Sequence, residues 1–258
     1  MSFPLHARKH REPPLFAPTH FRNYQVKVLE AKIEPSPPRV ALIFGRRWSR
    51  WLTEQFGDRF DSGEQLYRLD RHRGIAHLQG PGGPYAAIVM EELAAIGARQ
   101  FVIVGMAGSL QPGVRAGDWV VCTRALRDEG TSHHYLRSTK FAYPSSPLTQ
   151  RLESSLRLRG RSFHRGPSWT TDAAYRETRG EVRRFREAGI QTVEMEAATV
   201  FTVAKYLRRD AAALFVVSDH LDEGGWEPRF RDAFVELQEA LKFTLDVLGP
   251  RASLKRAR

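Results

Sequence analysis

Residues 211–217, Ala-Ala-Ala-Leu-Phe-Val-Val, form an unbroken apolar run. A half-exposed strand would alternate apolar and polar side chains, so a run of this kind fits a strand covered on both faces. Such a strand needs layers packed above and below it, and an α/β protein is expected. The run ends in Ser218 and Asp219. A second patterned segment precedes it. Residues 191–193 read as the end of a short buried strand, and Glu194, Met195 and Glu196 stand at the turn that follows. From 197 to 206 small and apolar residues recur at helical spacing, with Ala197, Val200, Phe201, Ala204 and Leu207 on one face. Acidic residues therefore follow two buried strands at their carboxyl ends, the edge where open α/β sheets bind ligands. Singly, each has an ordinary explanation: Glu196 as a cap at the positive end of a helix, Asp219 as a turn residue. Their recurrence at equivalent strand ends, with apolar Met195 between two carboxylates, favours a binding site.

The stretch Val193-Glu194-Met195-Glu196-Ala197-Ala198, followed by Val217-Ser218-Asp219-His220, resembles the purine and uridine phosphorylase superfamily. These are the nucleoside phosphorylases and nucleosidases that cut N-glycosidic bonds. The resemblance covers residues 39–248. It implies a single-domain, three-layer α/β/α fold with a mixed central sheet, in a homo-oligomer built from dimers, up to a hexamer. It also implies that Met195 and Glu196 hold a ribose, with Val193, Glu194 and Ser218 beside them. Asp219 would protonate a purine base. Arg231, at the start of the last helix, matches an arginine that helps the aspartate give up its proton. No cofactor is implied beyond inorganic phosphate as co-substrate.

Residues 1–38 hold seven of the 15 prolines and read as an extended arm with one short helix after Thr19. In the resembled family a histidine of such an arm can reach a neighbouring subunit's sugar, which makes His6, His10 and His20 candidates. Residues 39–250 form the domain. A first buried strand at 39–44 ends at Gly45, and a helix follows over 47–56, the arrangement that brings backbone N–H groups to an anion. Gly45 and Gly105, with Arg46, Arg47 and Arg50, are the candidate phosphate ligands. Residues 65–79 predict a hairpin turning near Gly74. The glycines of 80–83 lead into a helix and either accompany a site or only permit close packing. Strands are expected at 100–105, 118–123 and 163–169, and helices at 147–158 and from Pro228 to 248. Residues 222–227 read as a mobile loop.

Two positions depart from the resembled pattern. Phosphorolytic members carry an arginine two residues before Gly105 and a serine or threonine just after it, where this chain has Ile103 and Met106. A buried phosphate dianion needs such partners. Either the arginines after Gly45 supply the charge or phosphate is not the nucleophile. Residues 127–135, with Gly130, Thr131, Ser132, His133, His134 and Tyr135, resemble a loop of uridine-specific members and make Thr131 a substrate contact. Asp219 points to purines instead. Trp169 and Tyr175 are placed either to stack on a base or in the core. His133 and His134 lack a further ligand at metal-binding spacing, so no metal is expected.

The net charge of +11 comes largely from arginines spread along the chain, without the interleaved aromatics of a nucleic-acid platform, so nucleic acid is not the expected partner. No apolar run approaches a membrane span. The single cysteine, Cys122, and a basic, proline-containing start fit a cytoplasmic protein. Residues 251–258 read as a basic, frayed tail. The leading function is a nucleoside phosphorylase. A hydrolytic nucleosidase, a non-catalytic nucleoside-binding protein and, last, a basic nucleic-acid binder are the alternatives.

Overall fold

The computed structural model describes residues 3–6, 9–56 and 66–250. The basic tail expected at 251–258 lies outside them. The arm carries an eleven-residue helix, α1 (Pro18–Val28). Its His10 lies with Nε2 2.8 Å from the His133 carbonyl oxygen, while His6 and His20 are exposed.

The first half of the domain runs β1 (Arg39–Phe44), α2 (Trp48–Phe56), β2 (Leu66–Arg68), β3 (Arg73–Leu78), α3 (Gly83–Ala95), β4 (Gln100–Ser109) and β5 (Trp119–Asp128). Then come α4 (Ser132–Tyr135), β6 (Phe141–Ala142), α5 (Ser146–Leu158), β7 (His164–Thr171), α6 (Arg179–Glu187) and β8 (Thr192–Glu194). The chain closes with α7 (Ala197–Tyr206), β9 (Asp210–Asp222), β10 (Gly225–Pro228) and α8 (Phe230–Leu248).

The strands make one mixed sheet in the order β10-β9-β5-β7-β8-β4-β1-β3-β2, and β9 also pairs with β4. Strands β4, β9, β5, β7 and β8 therefore pair in a closed ring, with β1, β3 and β2 extending from β4. Closure leaves no free edge within the ring. The apolar run sits at its centre, with Ala211 to Val217 at 1% exposure or less, as a strand covered on both faces requires. One core packs Ala87, Met90 and Phe201 of α3 and α7 onto one face of the sheet. The other packs Trp48, Leu152, Leu237 and Leu241 of α2, α5 and α8 onto the opposite face.

Three local expectations are corrected. Gly74 lies inside β3 and not at the hairpin turn; a Cβ there would stand 2.7 Å from the Tyr67 carbonyl oxygen on the paired strand, so close strand approach explains the glycine. Residues 222–227, expected as a mobile loop, turn into β10, which pairs antiparallel with the end of β9. Pro228 is the last residue of that strand and does not open α8. Some of the many arginines also find a structural use. Arg39, Arg73 and Arg151 donate to the Leu245, Leu248 and Gly249 carbonyl oxygens at 2.7–3.0 Å. They satisfy the otherwise unpaired last turn of α8 and complement its negative end.

Candidate active site

Strand β8 is wedged between β7 and β4. Its last residue, Glu194, is buried and accepts four hydrogen bonds. Two come from Ser168 Oγ (3.2 Å) and Thr170 Oγ1 (2.5 Å) on β7, and two from the backbone N–H groups of Glu196 (2.8 Å) and Ala197 (2.7 Å). Burial raises the Glu194 pKa and these donors oppose the rise. The helix-capping task that the sequence suggested for Glu196 thus falls to Glu194. The Glu196 side chain instead crosses to α3 and accepts the Gly82 N–H at 2.6 Å. Burial, with Glu194 beside it, pushes the Glu196 pKa up to about 8.

Asp219 does not start a turn; it lies inside β9, where the strand continues to Asp222. Ser218 Oγ donates to its Oδ1 at 2.6 Å, and Trp226 Nε1 to its Oδ2 at 2.8 Å. Gly108 on β4 comes close to it. A Cβ at Gly108 would overlap the Leu221 side chain and lie 3.0 Å from Asp219 Oδ2, so the carboxyl keeps its place only beside a glycine.

Both acidic segments open onto one cavity of about 380 Å³, a size suited to a small-molecule ligand. Val193, Glu194, Met195 and Glu196 line it from one side, and Ser218 and Asp219 from another. Gly45, Arg46, Arg47 and Gly105 border it, and Phe230, Phe234 and Leu237 of α8 supply an apolar wall. Gly45 adopts a φ of +95°, which favours glycine, but its own N–H is already bonded to the Leu78 carbonyl oxygen at 2.8 Å. Positive charge at that border comes from the two arginine side chains. Met106 also lines the cavity, while Ile103 is wholly buried in the core.

Five expected site residues lie elsewhere. Trp169 is a core residue: its ring packs on Phe185 with centroids 4.7 Å apart, and its Nε1 donates to Asp128. Tyr175 is fully exposed. Thr131 sits beside Gly83, away from the cavity lining, because the 127–135 segment folds against α3 and α7. Gly83 itself would clash with Thr199 if it bore a Cβ, so that glycine serves packing. Arg50 and Arg231 are exposed and outside the lining. Sequence reasoning missed Glu177, which lines the cavity half-buried; burial and the nearby Asp219 push its pKa up to about 7. No motif marks it. It also missed Trp226, hidden in a segment too polar and glycine-rich to read as a strand.

The raised carboxyls carry a consequence for stability. Glu196 binds its proton in the folded state up to about pH 8, whereas an exposed glutamate loses it near 4.5. The folded state thus holds more protons across this window, and stability falls as pH rises through it. Between pH 6 and pH 8 the loss is expected to be about 2 kcal/mol. Melting curves across that range should show the decline, and Glu196→Gln should make it shallower, leaving the part that Glu177, with its pKa pushed up to about 7, contributes. An equal slope in the variant would remove Glu196 as the cause.

The ring of strands and its flanking helices, with a carboxylate- and arginine-bordered cavity where β8 and β9 meet, define an α/β protein of the nucleoside-phosphorylase-like fold. The chain belongs to the phosphorylase superfamily, whose family model matches residues 65–245. It is 35% identical over 163 residues to a guanosine phosphorylase of Halorubrum lacusprofundi, spanning 63% of this chain and 67% of that one. It is 33% identical over 177 residues to a uridine phosphorylase of Thermococcus kodakarensis, spanning 63% and 64%. The chain therefore matches about two thirds of the length of these relatives. Among solved structures, the uridine phosphorylase of Vibrio fischeri superposes with a TM-score of 0.66 at 22% identity, covering 83% of this chain and 91% of that one. The AMP nucleosidase of Bacteroides thetaiotaomicron superposes at 0.70, also with 22% identity, covering 90% and 96%. These two likenesses concern the fold. Among the described residues no helix is long and apolar enough to cross a membrane.

Proposed function

We propose that this protein cleaves the N-glycosidic bond of a nucleoside, with inorganic phosphate as the attacking group. The observation that carries the reading is the joining of Glu194-Met195-Glu196, Ser218-Asp219 and Arg46-Arg47 around one cavity. As the bond breaks, positive charge grows on the sugar and negative charge on the base, and a site must answer both. Glu196 would accept from the ribose hydroxyls and, in its ionised form, face the sugar's developing charge, and Met195 would lie against the sugar's apolar face. Asp219 would pass its proton to a ring nitrogen of the leaving base, a role that favours purines. A phosphate oxygen forms the new bond to C1′ as the C1′–N bond breaks, yielding the sugar 1-phosphate and the free base. Asp219, left as a carboxylate, regains a proton from solvent. Arg46 and Arg47 would hold the phosphate. The reading carries with it a homo-oligomer, whose contact surface the exposed Phe21, Tyr24, Val28 and Leu29 of the arm would supply.

A second reading, hydrolysis by water, is favoured by Ile103 and Met106, which offer phosphate neither charge nor hydroxyl. Base release from guanosine, inosine, adenosine and uridine, measured with and without phosphate, separates the two. Release is expected to require phosphate. Replacing Arg46 and Arg47 together by alanine should raise the phosphate KM by about 10–100-fold, the worth of a hydrogen bond between charged groups. Equal release in phosphate-free buffer would put water in the place of phosphate.

A further inference from the structure

Among the described residues, Asp219 is held by two neutral donors and by no cation. Ser218 Oγ and Trp226 Nε1 take one carboxyl oxygen each, at 2.6 and 2.8 Å. Neither arginine at the start of α8 serves: Arg229 bonds to Glu227 at 2.6 Å, and Arg231 is exposed outside the cavity. Trp226 owes its place to the antiparallel pairing of β10 with β9, which sets Trp226 opposite Leu221 and Pro228 opposite Asp219. Its ring packs on Phe230 with centroids 5.9 Å apart, at the first residue of α8. Trp226 is largely exposed and is not among the residues that line the cavity, whereas Asp219 is.

We propose that Trp226 is a positioning residue for Asp219: its indole N–H aims the carboxyl and stabilises the carboxylate left when the proton passes to the leaving base. This rests on the nucleoside reading above. A hydrogen bond donated to a carboxylate favours the charged form, so it makes proton transfer away from Asp219 easier. The contribution therefore appears only when the base must be protonated to leave.

That restriction supplies the test. The base of 7-methylguanosine is already cationic and departs without accepting a proton, whereas that of guanosine needs one. Steady-state kcat and KM are measured for both nucleosides at saturating phosphate with the full chain and its Trp226→Phe variant. On guanosine, kcat should fall about 10-fold or more with KM within about twofold, the size of one lost hydrogen bond to a charged group. On 7-methylguanosine, kcat should hold. Trp226→Leu, which removes the N–H with a different shape, should reproduce the split. Should both variants lose both activities alike, or should guanosine turnover stay at the wild-type rate, the assignment of Trp226 is overturned while the nucleoside reading stands. Wild-type protein that releases base from neither nucleoside would instead sink the purine reading, and the role of Trp226 with it.

Discussion

Replacing Asp219 by asparagine is expected to lower turnover of a purine nucleoside by about 10²–10⁴-fold, the usual worth of a well-placed acid. KM should change little. The side chain keeps its shape, and an amide oxygen can still accept from Ser218 or Trp226, so the cavity wall stays in place. What is lost is the transferable proton. The loss should accordingly be confined to kcat and should shrink for a nucleoside whose base leaves as a neutral molecule without protonation. Stopped assays of free base, with guanosine and 7-methylguanosine side by side, give the comparison. Guanosine turnover within threefold of the wild type would remove Asp219 as the acid and move attention to Glu177. That residue lines the same cavity and holds its proton up to about pH 7.

The contrast between those two carboxyls shows what a sequence can and cannot announce. Asp219 was legible because a run of seven apolar residues leads into it by way of Ser218, and strand position is a matter of pattern. Glu194, Met195 and Glu196 were legible for the same reason, one buried strand earlier. The first strand at 39–44 and the helix at 197–206 follow from the same periodicities and match β1 and α7. Glu177 sits between a short 3-10 turn at Ala174–Arg176 and helix α6, with no periodicity to aim it. The direction of a lone aromatic is equally silent in one dimension: Trp169 proved to be core and Tyr175 surface, though both were open to either outcome. Trp226 was hidden by composition. The sequence Asp222-Glu223-Gly224-Gly225-Trp226 has no alternation, and its strand exists because β9 runs on past Asp219 and offers a partner. Division of labour between Glu194 and Glu196 was also out of reach. Either could cap the helix, and only the position of Ser168 and Thr170 on the neighbouring strand decides it.

That decision can be tested on stability. Glu194→Ala is expected to destabilise the protein by about 2–5 kcal/mol, from the cavity it leaves and the donors it orphans. The four donors are not equivalent. Ser168 Oγ already has the Thr192 carbonyl oxygen as a second acceptor at 3.3 Å, whereas the Thr170 hydroxyl accepts the Ala198 N–H and would lose the acceptor of its own O–H. The Glu196 and Ala197 N–H groups have no such recourse among the described residues, since they head α7 and face inward. At about 2–4 °C per kcal/mol for a domain of this size, the melting temperature should fall by roughly 4–20 °C. Turnover should fall as well, because the same turn carries Met195 and Glu196 into the cavity. Against these losses stands one gain, relief from keeping a carboxyl out of water, which burial has already made costly. The sign of the outcome measures which term is larger. A Glu194→Ala protein that melts at or above the wild-type temperature would mean that desolvation outweighs all four hydrogen bonds. Glu194 would then be retained for what it does to a ligand and not for what it does to the fold.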